Sequence, residues 1–90
     1  QEYRIVRYIL MRRITFTPRA TTQWLKLSQD LRRRVNARLQ QFAETGQGDI
    51  KKLRGRAGAR LRVGDWRVIF YEERDMIVVT DVGHRREIYN

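Results

Sequence analysis

Residues 59–70 read ARLRVGDWRVIF. On both sides of Gly64-Asp65 the apolar residues alternate with others, the period of a half-buried β-strand. Glycine at the first central position suits a two-residue hairpin turn. Such a turn fixes the register: Val63 faces Trp66, Arg62 faces Arg67, Leu61 faces Val68, Arg60 faces Ile69 and Ala59 faces Phe70. One face then carries Ala59, Leu61, Val63, Trp66, Val68 and Phe70, and is a core face. The other carries Arg60, Arg62 and Arg67 near the turn, with Ile69 and Tyr71 beyond them. Arg62 and Arg67 stand directly opposite each other, and like charges at that spacing repel. No carboxylate falls on this face within the hairpin strands. The convergence predicts a face that binds an anion, phosphate above all; a splayed, solvated face is the alternative. Without a counter-ion, replacing Arg62 or Arg67 by alanine is expected to leave stability unchanged or slightly raised. The apolar end near Ile69 and Tyr71 reads as a docking strip for a protein partner.

Working outward, residues 76–82 form a third strand, with Glu73-Arg74 as the turn before it. If alternation carries across that turn, Met76, Val78, Thr80 and Val82 share the arginine face. The chain leaves through Gly83 and takes His84, Arg85 and Arg86 past the same end, with Tyr89 close behind. Glu72 and Glu73 read as solvated. Upstream, residues 12–17 (RRITFT) form a first strand. Thr17 is a candidate N-cap with Pro18 at the first helical position. Ala20, Trp24 and Leu27 follow at helical spacing. The SQD at 28–30 breaks the helix, and Asp30 is the candidate cap of a second. Leu31, Val35, Leu39 and Phe42 mark its apolar stripe, with Arg32, Arg33, Arg34 and Arg38 mostly off it. Gly46 and Gly48 end it. Residues 49–58 read as a basic, glycine-bearing connector. The order strand, helix, helix, strand, strand, strand is an α+β domain, with the helix stripes covering the core face of the hairpin. Met11 is a candidate natural start. Residues 1–10 then form an extension of unknown role, and 11–90 one domain.

The chain has 90 residues and a net charge of +10, from 20 Lys and Arg against 10 Asp and Glu. Lysine occurs only at 26, 51 and 52, so the excess is almost entirely arginine, the side chain suited to planar, bidentate contact with phosphate. This balance points to a polyanionic partner. With no cysteine and one histidine there is no disulfide and no zinc-ligand spacing. No apolar run is long enough to span a bilayer. The expectation is a cytoplasmic protein that uses no metal or cofactor and does not bind membranes. Cleavage of RNA by its own 2′-hydroxyl would suit the residues present. That reaction needs the 2′-proton removed, a more negative phosphate stabilised, and a proton for the departing 5′-oxygen. Arginines supply the second need. His84 is a candidate acid or base, Arg85 a candidate donor to the leaving oxygen, and Tyr89 a group to orient phosphate or stack on a base.

The segments KKLRG (51–55), ARLRVGDWRVIFYEE (59–73) and MIVVTDVGHRREIY (76–89) resemble the RelE/ParE toxin superfamily, as does ITFTPRATTQWLKL (14–27). The resemblance implies two N-terminal helices on a mostly antiparallel four-stranded sheet, akin to small microbial ribonucleases. It implies a toxin held by a cognate antitoxin in a higher-order complex. RelE-type members cleave mRNA in the ribosomal A site without metal; ParE-type members inhibit DNA gyrase and lack most of the catalytic set. Residue by residue, the catalytic positions fall on Arg60, Arg62, Arg67, Arg85 and Tyr89, with His84 at a position that is often basic. Lys51, Lys52, Arg54 and Arg86 are the expected contacts to RNA or ribosome. The RelE prototype carries lysine at the positions of Arg60 and Arg62, some relatives use a glutamate base, and no glutamate sits on this face, so the resemblance assigns no general base. The expected function is a ribosome-dependent endoribonuclease toxin. A gyrase inhibitor and a non-catalytic RNA-binding module are the alternatives.

Overall fold

Two capped helices and five strands organise residues 12–88, the part described in the computed structural model of the chain. Residues 1–10 and Tyr89 lie outside the described residues. Strand β1 (Arg13–Phe16) leads into helix α1 (Pro18–Leu25) and helix α2 (Gln29–Thr45). Strands β2 (Ile50–Lys52), β3 (Ala59–Val63), β4 (Trp66–Glu73) and β5 (Met76–His84) follow. The sheet order is β1-β5-β4-β3-β2. β1 runs parallel to β5, and the other pairs are antiparallel.

Local chemistry sets the helix ends. The Thr17 hydroxyl accepts from the Ala20 N–H at 3.2 Å, with Pro18 opening α1. Ser28 rather than Asp30 caps α2, its hydroxyl accepting from the Leu31 N–H at 3.2 Å. Asp30 sits in the first turn, where a carboxylate complements the helix dipole. Gly46 closes α2 in the left-handed conformation at φ 76°. The stripe Leu31, Val35, Leu39, Phe42 and Ala43 packs with Leu27 on Leu61, Val63, Val68, Phe70, Ile77, Val79 and Val82. Phe42 meets Phe70 at 5.1 Å and Phe16 meets Trp24 at 5.2 Å between ring centroids. Arg12 bonds the Phe42 carbonyl, pairs with Glu72 and lies over the Phe42 ring at 4.4 Å. Glu72 is therefore ion-paired rather than merely solvated, and burial lowers the Arg12 pKa from its ordinary value.

The hairpin register is the one the sequence dictates, from Ala59↔Phe70 to Val63↔Trp66. Three features depart from expectation. First, the connector contributes a fifth strand: Ile50, Lys51 and Lys52 pair with Leu61, Arg60 and Ala59. Second, the turn before β5 is Arg74-Asp75, because Glu73 still pairs with Met76. Third, a bulge interrupts the β4–β5 ladder. Phe70 pairs with Val79 and Ile69 with Asp81, which leaves Thr80 as the extra residue. Met76 and Val78 keep the parity of the arginine face. Past the bulge the parity inverts, so Val82 is a core residue and Asp81 and Gly83 take its place opposite Ile69 and Arg67.

Candidate nucleic-acid interface

β3 and β4 deliver the arginines. Arg62 and Arg67 are cross-strand partners, Arg60 faces Ile69 on one side and Lys51 on the other, and all share the face away from the helices. Gly64 makes the tight turn possible: at φ 60° it takes the conformation that a two-residue loop of this class requires of its first residue.

The three hairpin arginines differ in environment. Arg67 is only 8% exposed. Its Nη1 donates to the Gly64 carbonyl at 2.8 Å and the Trp66 carbonyl at 3.0 Å. Its Nε is buried without a hydrogen-bond partner among the described residues. Arg62 is exposed, and its Nε lies 3.8 Å from Asp49 Oδ2, while its backbone N–H donates to the Asp49 carbonyl at 2.9 Å. The expected open, counter-ion-free pair is thus corrected. Arg67 is a buried donor fixed by carbonyls, and Arg62 has a carboxylate that enters from ahead of β2. Arg60 is half-buried and forms no ion pair among the described residues.

The tail divides between the two faces. Arg85 continues the ladder, its N–H donating to the Asp65 carbonyl at 2.8 Å and its Nε lying 3.4 Å from Asp65 Oδ1. This ties it to the hairpin turn beside Arg67. Ile88 folds back over Gly83, the ladder partner of Arg67, within 3.5 Å of where a Cβ there would lie. His84 goes elsewhere. It pairs with Trp66 and meets that indole edge-on at 5.4 Å, on the helix side of the sheet. Its Nδ1 accepts from the Arg86 N–H at 3.2 Å. The Thr80 bulge is the cause, since unbroken alternation would have put the imidazole among the arginines. His84 instead borders a cavity of about 350 Å³ with Gln23, Lys26, Asp81 and Glu87.

Among the remaining candidates, Lys51 sits across from Arg60. Lys52 has the opposite parity, yet it lines the same cavity as Lys51 and Arg54 from the sheet edge. Arg86 is exposed in the final turn. The apolar docking strip is reduced to Tyr71, because Ile69 is only 3% exposed. Sequence reasoning missed three residues. Asp65 stands in the quoted turn and was open to inspection. Asp49 depended on β2, whose three residues offer no period. Arg56 sits in the connector among other cations. Among the described residues no group of His, Asp and Glu is arranged to hold a metal, and no helix is long and apolar enough to cross a membrane.

The arrangement can neutralise a phosphate from several directions on one strand-built surface. Three solved structures share the fold. The toxin chain of the intact Escherichia coli RelBE toxin–antitoxin complex is 26% identical, over 81% of this chain and 95% of that one, with a TM-score of 0.66. The isolated E. coli RelE toxin is 24% identical over 87% and 90%, at 0.71. A chain of the Mycobacterium tuberculosis RelBE2 toxin–antitoxin complex is 20% identical over 82% and 98%, at 0.72. No curated protein matches the chain. Residues 14–89 match the family described as the ParE toxin of type II toxin–antitoxin system, parDE. The chain therefore belongs to this toxin family, within the RelE/ParE superfamily.

Proposed function

We propose that this toxin is a ribosome-dependent endoribonuclease that cleaves mRNA in the A site by 2′-hydroxyl attack and needs no metal. The observation that carries the reading is the cluster of Arg60, Arg62, Arg67 and Arg85 around one hairpin end, with a buried Arg67 Nε that has no hydrogen-bond partner among the described residues. In the reaction the 2′-oxygen gives its proton to water and bonds to phosphorus, while the bond to the 5′-oxygen breaks and that oxygen takes up a proton. The products are a 2′,3′-cyclic phosphate and a free 5′-hydroxyl. Arg62 and Arg67 meet the added negative charge of the crowded phosphate, and Arg60 holds its other side. Arg85 donates to the leaving oxygen, a role the position of His84 on the opposite face makes unsuitable for the imidazole. Tyr89 orients the substrate. Lys51, Lys52, Arg54 and Arg86 contact RNA or ribosome. The toxin works in the cytoplasm, and a cognate antitoxin restrains it in a higher-order complex, as RelB partners RelE in the E. coli and M. tuberculosis complexes.

The matching family description favours a second reading, inhibition of DNA gyrase without nuclease activity. Addition of the protein to a translating extract and, separately, to a gyrase supercoiling assay separates the two. Cut mRNA with unaffected gyrase is expected. Blocked supercoiling with intact mRNA selects the gyrase reading.

A further inference from the structure

Five cations surround one cavity, and none has a carboxylate partner among the described residues. Lys51, Lys52, Arg54, Arg56 and Arg60 line an open groove of about 490 Å³ together with Leu53 and Ile88. Among the described residues none of the five forms an ion pair, whereas Arg62 and Arg85 each have an aspartate beside them. The loop that presents Arg54 and Arg56 has a set shape. The Leu53 N–H donates to the Gly58 carbonyl at 3.1 Å. Gly58, at φ 109°, lies so close to β4 that a Cβ would stand 2.7 Å from the Phe70 carbonyl oxygen. Lys51 and Arg60 are held opposite each other by the β2–β3 ladder. Backbone-fixed like charges cost stability, and a bound polyanion reverses the sign of that term.

We propose that this groove is a subsite for one nucleotide of single-stranded RNA, adjacent to the reacting phosphate. Its backbone phosphate lies against Lys51, Arg54 and Arg56. Its ribose and base lie against Leu53 and Ile88, with an arginine plane available for stacking. The volume falls within the range of small-ligand sites, roughly 300–1,000 Å³. Arg60 joins groove and reaction centre, so one continuous strand can occupy both. The inference rests on RNA being the substrate. An acidic peptide would use the cations but leave the apolar wall without a match.

The test is fluorescence anisotropy of a labelled uridine hexanucleotide bound to the free toxin across a series of KCl concentrations. The double variant Lys51→Ala/Arg56→Ala is expected to bind roughly tenfold more weakly or worse. The slope of log affinity against log salt should shrink by about 1.4, two contacts at about 0.7 each for single strands. Leu53→Ala should weaken binding with the slope unchanged. Unchanged affinity and slope in the double variant overturn the proposal. So does a hexaglutamate peptide that binds as tightly as the RNA and responds equally to the double variant. These readouts need no ribosome, so a failed subsite and a failed nuclease reading are separately visible.

Discussion

Arg67 and Arg62 face each other across the hairpin but stand on different energetic ground. Arg67 is buried and satisfies the carbonyls of Gly64 and Trp66. Hydrogen bonds from a charged donor contribute about 1.5–3 kcal/mol, so Arg67→Ala should lower stability by an amount of that order. Arg62 is exposed, and its contact to Asp49 at 3.8 Å is of the kind that contributes roughly 0–1 kcal/mol. Removing it also relieves repulsion across the strand pair. Arg62→Ala should melt within a few degrees of the parent, while Arg67→Ala melts clearly lower. Both should lose on the order of 10²-fold or more in cleavage rate, because each removes a contact to the developing phosphate charge. Thermal melts and single-turnover cleavage on programmed ribosomes check this. Equal melts would show that the two carbonyl bonds of Arg67 add little. The burial of Arg67 was not legible in the sequence. Alternation put it on the arginine face, but what covers that face comes from the tail, where Ile88 folds back over Gly83.

At the scale of elements, the hairpin was readable because its turn leaves one register, and that register sorts every side chain to a face. The helices were readable from their stripes and caps, with the second cap misplaced from Ser28 to Asp30. β2 was hidden because three residues cannot display a period. The bulge was hidden because Thr80 looks like any β-former, yet that one extra residue carries His84 to the opposite side of the sheet. The structure supports this inverted end with a contact from a helix. β1 pairs with β5 only as far as Val79, so among the described residues no strand neighbours the outer edge of β5 beyond it. Gln23 of α1 fills the gap, its Oε1 accepting from the Val82 N–H at 2.7 Å. Gln23→Ala would strand a part-buried donor, at a cost of about 1–3 kcal/mol. In a domain of this size that lowers the melting temperature by roughly 4–8 °C per kcal/mol. Gln23→Glu keeps the acceptor and should recover most of the loss. If alanine and glutamate variants melt alike, the contact does not hold the end of β5.

Across the whole molecule, the two faces of the sheet divide the work. The contiguous core lies between the helices and one face, from Ala20 to Val82. The opposite face buries Ile69, Val78 and Arg67, carries Lys51, Arg60 and Arg62 toward the hairpin turn, and presents Tyr71, Glu73 and Met76 at its far end. Substitutions among the exposed and half-buried cations should therefore leave folding intact while removing a large part of the field that attracts a polyanion. Lys51→Ala/Arg60→Ala/Arg62→Ala tests this directly. It deletes three of the ten excess positive charges and one weak ion pair, and it removes two like-charge oppositions, Lys51 with Arg60 and Arg62 with Arg67. The fold should persist, with a melting temperature within a few degrees of the parent or above it. Growth arrest on induction of the toxin without an antitoxin should be abolished, since reaction site and groove both lose their phosphate contacts. A gain or retention of stability beside lost activity is the signature of residues kept for function. If the variant is folded and still arrests growth, toxicity does not run through this face. An accompanying block of gyrase supercoiling would then assign the toxin to the ParE mode of action, exerted from another surface of the same fold.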